Sequence, residues 1–87
     1  MHLDLSKNNV QDDGVEKLCT ASYFRNLKKL YLDDNELTSA SGKYLAESQF
    51  LTQLTHLSLG YNKLADAGVS EIVKSKNFSY LTNLALQ

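Results

Sequence analysis

Residues 30–37 read Leu-Tyr-Leu-Asp-Asp-Asn-Glu-Leu, and the same frame recurs as LDLSKNNV over 3–10 and LSLGYNKL over 57–64. A further copy begins as LALQ at 84–87. Asn8, Asn35 and Asn62 stand 27 residues apart. Working outward, the fullest copies are Leu27, Leu30, Leu32, Asn35, Leu37 and Leu54, Leu57, Leu59, Asn62, Leu64, with Leu81, Leu84 and Leu86 opening the last. A fixed period of this size marks a stack of one repeated unit rather than a globule around a single pocket.

Each position has a physical reading. In Leu-x-Leu the side chains alternate across a strand, so Leu3 and Leu5, Leu30 and Leu32, and Leu57 and Leu59 share one buried face. A lone strand of this kind cannot hide its leucines; stacked copies bury them in a continuous core. The Asn follows where the chain leaves the strand. Its amide offers a donor and an acceptor for turn groups that burial would leave unpaired. Asn8, Asn35 and Asn62 are therefore read as fold residues.

Beyond each turn lies a helical stretch. Asp12, Ser39 and Asp66 are in register and are the expected N-caps, with Asp13 and Glu16 spaced for a capping box. The inner helix face is expected to hold Val15, Leu18 and Cys19; Leu45 and Ala46; and Val69, Ile72 and Val73. Gly14 and Gly68 are equivalent, but Ser41 stands between them and Gly42 lies one residue later, so the second helix should start differently. Phe24, Leu51 and Phe78 precede the strands and should plug the gap between helix and sheet.

The full pattern is L-x-x-L-x-L-x-x-N-x-L. On those residues the chain resembles the leucine-rich repeat family over nearly its whole length. The resemblance implies an α/β leucine-rich repeat solenoid, with a parallel β-sheet on the concave face and helices on the convex face. It also implies that the asparagines form a ladder. The unit length and helix look most like the ribonuclease-inhibitor-like subfamily. Repeats are expected at about 1–26, 27–53 and 54–80, with a partial one at 81–87. Neither end has the atypical, polar composition of a solenoid cap. The chain is accordingly expected to be a piece of a longer array, and open strand edges leave self-association through the uncapped ends open.

A chain of 87 residues is one small domain. Its formal charge of −1 is scattered, without the basic stripe that nucleic acid requires. No apolar run approaches a membrane span, and MHLDLSKNN lacks a signal-peptide layout. One cysteine excludes an internal disulfide and a Cys-x-x-Cys zinc site. The simplest expectation is a reducing, cytoplasmic setting, with export by a signal-independent route left open.

Functional residues are expected on the outward side of the strands, which the family uses to bind other proteins. The outward columns are His2, Lys29, His56 and Asn83; then Asp4, Tyr31, Ser58 and Ala85; then Ser6, Asp33, Gly60 and Gln87. Lys7, Asp34 and Tyr61 lie at the rim. These positions vary from copy to copy while the leucines do not. A recognition surface on a fixed scaffold varies in this way, and so do drifting solvent-exposed residues. Tyr31 and Tyr61 are the expected anchors, since tyrosines dominate interface energetics; the other reading is ordinary surface tyrosines. Lys29, Asp33, Asp34, His56, Ser58 and Asp4 would add polar specificity. Four strands span only ~14 Å. The patch falls short of the ~800 Å² per partner of a stable interface, so this segment would contribute part of a longer arc.

Catalytic and metal chemistries fare poorly. His2 and His56 share a column near Asp4, but Lys29 between them would repel a cation. Cys19 has Ala46 and Val73 as register partners, which marks a small core residue rather than a nucleophile. Asp33 and Asp34, as strand neighbours, point to different sides. No phosphate loop or Ser/His/Asp set is present. The expectation is a protein-interaction scaffold without enzyme activity or cofactor. The alternative implied by the resemblance is a regulatory or substrate-recognition segment of a GTPase activator or a ubiquitin ligase, without catalysis of its own.

Overall fold

The structure is a computed structural model that describes residues 1–86; Gln87, the last member of the third outward column, lies outside them. Strands β1 (His2–Asp4), β2 (Lys29–Tyr31), β3 (His56–Ser58) and β4 (Asn83–Ala85) form one sheet in chain order, all parallel. Helices α1 (Gln11–Cys19), α2 (Ser39–Glu47) and α3 (Ala65–Lys74) alternate with them. The strand register follows the repeat: Leu3 pairs with Leu30, Leu30 with Leu57, and Leu57 with Leu84.

The strands bury their leucines because neighbours lie on both sides. Leu30, Leu32, Leu57 and Leu59 are at most 1% exposed and form one cluster with Val15, Leu18, Leu45 and Ile72 of the helices. Leu3 on β1 and Leu5 just after it are half-buried, and Leu84 on β4 is 36% exposed, since the two edge strands have a neighbour on one side only. Leu51 and Phe78 are buried and Phe24 half-buried, as the plug column requires.

Asn35 and Asn62 bind across repeats, each serving the copy before it. Asn35 Oδ1 accepts from the backbone N–H of Asn8 (2.8 Å) and Val10 (3.1 Å), and its Nδ2 donates to the carbonyls of Leu5 and Asp33. Asn62 repeats this with the N–H groups of Asn35 and Leu37 and the carbonyl of Leu32. Asn8 is different. It is exposed, and its Nδ2 donates to Ser6 O two residues back.

The helix starts correct the expected caps. Asp12, Ser39 and Asp66 sit inside the first turns, not before them. Thr38 is the cap of α2, its hydroxyl accepting from Ala40 N–H. Helices α1 and α3 have no side-chain cap, so Asp13 and Glu16 form no capping box. The first residues of α1 and α3, Gln11 and Ala65, have φ of 62° and 59°. The second helix does start differently, because Thr38 is extended. Asp12 instead ties two copies together. Its carboxylate accepts from Thr38 N–H (3.0 Å), Thr38 Oγ1 and Ser41 Oγ in the next copy. Burial opposes its ionisation, but the hydrogen bonds from Ser41 and Thr38 outweigh this and hold the carboxyl below its usual value.

One inner-face expectation also needs correction. Val73 is 70% exposed, whereas Ala46 and Val69 are half-buried and Val69 packs against the core. The cause is stacking order. Cys19, in the Val73 column, is covered by the next copy, whose Ser48 Oγ donates to Cys19 O at 2.6 Å. Among the described residues, no α-helix follows α3 to lie against Val73. The buried members of α2 include Ser41 and Gly42, and a Cβ on Gly42 would lie 2.5 Å from the carbonyl oxygen of Gly68 on α3. Gly42 stands in the column of Val15 and Val69, so the close approach of α2 and α3 replaces a core side chain.

Candidate functional site

The sheet register brings the expected surface residues together on the side away from the core. His2, Lys29, His56 and Asn83 lie side by side, as do Asp4, Tyr31, Ser58 and Ala85. Lys29, Tyr31, His56 and Ser58, on the two inner strands, are half-buried. Tyr31 also borders a shallow hollow of about 210 Å³ with His56, Ser58, Asn83 and Ala85. The three-residue strands hold these side chains in fixed columns.

Further along the turn the roles divide. Asp33 accepts from Ser58 Oγ (2.7 Å) and Gly60 N–H (2.6 Å), and its own N–H donates to Ser6 Oγ. Asp33 and Ser58 are therefore a cross-repeat tie as well as surface residues. Asp34 is exposed and points elsewhere in a left-handed turn, so the two aspartates make no dyad. Lys7, Asp34 and Tyr61 have φ of 62°, 56° and 57°, so the same turn throws all three out at the rim. Tyr61 is 75% exposed there, beyond the hollow that Tyr31 borders. Asp4 holds Ser6 N–H at 3.0 Å, and this hydrogen bond lowers its pKa. Thr55 Oγ1 lies 2.9 Å from His56 Nδ1 and donates to Lys28 O, which steadies the imidazole.

Other candidate chemistries find no geometry. Lys29 separates His2 from His56, and no group of three or more His, Cys, Asp or Glu among the described residues could hold a metal. Cys19 is 4% exposed, and burial pushes its thiol up from 9.0 to about 12. A thiol so placed is inert in the folded state. The unfolded chain releases this proton near the ordinary value while the folded chain keeps it. Stability is thus expected to fall as pH rises from about 9 towards 12. In Cys19→Ala, which borrows the residue of Ala46, that part of the decline should be missing. Denaturant melts at pH 8 and pH 10.5 on both chains measure the difference.

Several ties were missed by sequence reading. Ser48 and Ser75 are in register, and Ser75 Oγ donates to Ala46 O at 2.6 Å just as Ser48 does to Cys19. Their spacing was the available signal. The Asp12–Thr38–Ser41 clamp had none, because it occurs once.

The geometry is that of a repeat stack with an asparagine ladder, and comparison with protein families agrees. A family model described as Leucine Rich repeats (2 copies) matches residues 25–72, and another described as Leucine Rich repeat matches residues 1–19. The chain belongs to the leucine-rich repeat family. Leucine-rich repeat domains generally mediate protein–protein interaction and are typically non-catalytic scaffolds. No curated protein matches this leucine-rich repeat chain.

Proposed function

We propose that the chain binds another protein through the solvent side of its sheet, the concave face of a leucine-rich repeat arc. Tyr31 and Tyr61 serve as anchors, and Asp4, Lys29, Asp34 and His56 supply polar contacts. Asp33 and Ser58 belong to the same surface while also holding the strands together. One observation carries this reading: residues that vary between copies are brought side by side on a rigid sheet, and the residues that repeat face the core. The helix-bearing unit supports placement in the ribonuclease-inhibitor-like group, and the single free cysteine supports a reducing, cytoplasmic setting.

The Tyr31→Ala/Tyr61→Ala double variant tests the reading, because neither side chain is in the core. Its melting temperature is expected to stay within about 4 °C of the parent, since surface changes of this kind cost at most ~0.5 kcal/mol. Affinity capture followed by titration of the captured protein should show at least a tenfold loss, as for a typical tyrosine anchor at about 1.4 kcal/mol or more. Equal binding by the double variant, with loss in a helix-face control such as Lys43→Ala, would move the interface to the helices. Stimulated GTP turnover by the parent chain would instead favour the GTPase-activator role.

A further inference from the structure

The groove between α1 and α2 ends in a hollow of about 370 Å³ whose walls do not match the rest of the helical side. Tyr44 and Phe50, both half-buried, supply aromatic surface, and Glu16 and Glu47 are exposed at its border. Cys19 and Ser48 close the floor, and Ser48 Oγ holds it rigid by donating to Cys19 O while accepting from Phe50 N–H (3.2 Å). The Glu16 carboxylate, then burial, then Asp12 and Asp13 push the phenol of Tyr44 up. The charged side chains that line the hollow, Glu16 and Glu47, are both carboxylates.

The repeat supplies an internal control. One period on, Glu16 becomes Lys43, Thr20 becomes Glu47, Tyr44 becomes Glu71, Glu47 becomes Lys74 and Phe50 becomes Asn77. The α2–α3 groove is thus built on the same backbone with no aromatic residue and with both signs of charge. Asn77 uses its amide to tie the turn to Leu45 O and Ser48 O. Phe50 makes no such tie, which leaves its ring to the hollow. The first groove has what the fold does not need: two aromatic faces and two carboxylates at one depression.

We propose that this hollow is a docking site for an arginine side chain on an exposed segment of a partner protein. A guanidinium stacks on aromatic faces and bonds carboxylates in a planar fork, which suits walls of Tyr44 and Phe50 beside Glu16 and Glu47 better than a lysine ammonium does. Neither Lys17 nor Lys43 borders the hollow to compete for it. The site lies on the helical side, with residues distinct from those of the sheet surface, so either can fail without the other.

The test is a nuclear magnetic resonance titration of the full chain with three capped peptides, Gly-Ser-Xaa-Ser-Gly, where Xaa is arginine, lysine or citrulline. Arginine is expected to shift the amides of Glu16, Tyr44, Glu47 and Phe50, with affinity at least threefold above lysine and no saturable effect from citrulline. Phe50→Asn and Glu16→Lys, each borrowing the residue one period on, should weaken arginine binding at least fivefold while leaving the melt unchanged. If Phe50→Asn perturbs folding, Glu16→Lys alone decides. Equal binding of lysine and arginine, absence of saturable binding, or shifts confined to Asp4, Asp33 and Asp34 would each overturn the proposal.

Discussion

Asn35→Ala is expected to lower the stability of the chain by about 3 kcal/mol, whereas Asn8→Ala changes it by less than ~0.5 kcal/mol. Both residues hold the same place in the motif. Asn35 is fully buried, and its amide satisfies two N–H groups and two carbonyls, joining the first copy to the second. Truncation leaves the Asn8 and Val10 N–H groups and the Leu5 carbonyl without this partner in a partly buried turn, while the Asp33 carbonyl keeps the N–H of Lys7, and each unpaired buried group costs about 1–3 kcal/mol. The sum stays below the arithmetic total because the turn can relax. Asn8 faces solvent and, among the described residues, its side chain bonds only Ser6 O, so water replaces what alanine removes. Urea unfolding of both variants tests this. Equal losses would mean that the asparagine acts through its own turn and not through the ladder.

Gly42→Ala should also be costly, by about 2 kcal/mol. Glycine inside a helix is normally improved by alanine, by roughly 0.5–1 kcal/mol. Here the sign reverses. A Cβ at Gly42 would meet the Gly68 carbonyl oxygen at 2.5 Å, its Cα at 2.8 Å and its carbonyl carbon at 2.9 Å. These are backbone atoms and cannot rotate away, so α3 must move off α2. Overpacking of this type costs roughly 1–3 kcal/mol or more. Gly14→Ala is the comparison, because there the obstacle is one side-chain atom, Val10 Cγ1 at 2.5 Å, and not the backbone of a neighbouring helix. Its cost should be well below that of Gly42→Ala in the same melt. A stabilised Gly42→Ala would show that the two helices are not in close contact in solution.

The two predictions rest on different kinds of information. Asn35 was legible in the sequence, because the ladder needs the same side chain in each copy. Gly42 was visible only as an interruption of a column. Its effect depends on how near α3 comes, and no spacing along one chain encodes that distance. The caps show a similar division. Asp12, Ser39 and Asp66 are in register and suitable as caps, yet a carboxylate serves whichever donors the fold brings nearest. For Asp12 those are Thr38 and Ser41 of the next copy.

The surface was legible as a set of positions, not as a set of roles. Alternation along β2 and β3 places Lys29, Tyr31, His56 and Ser58 on one side whatever the detail of packing. It does not reveal that Asp33 ties Ser58 and Gly60, or that Tyr61 is carried out to the rim. Val73 illustrates the limit of periodicity. Its spacing is that of an inner residue, but a helix position is buried only when the next repeat lies against it.

By itself, then, the sequence determined the unit, its period, the parallel strand register and the side on which each strand residue stands. All of these follow from short-range alternation and from leucines that must be buried together. The tertiary structure decided the contacts between copies: the Asp12 clamp, the Gly42–Gly68 approach, the serine ties and the aromatic hollow between α1 and α2. Those contacts join residues at or near one repeat apart, so they depend on the pitch of the stack, which is set by the packing of whole units.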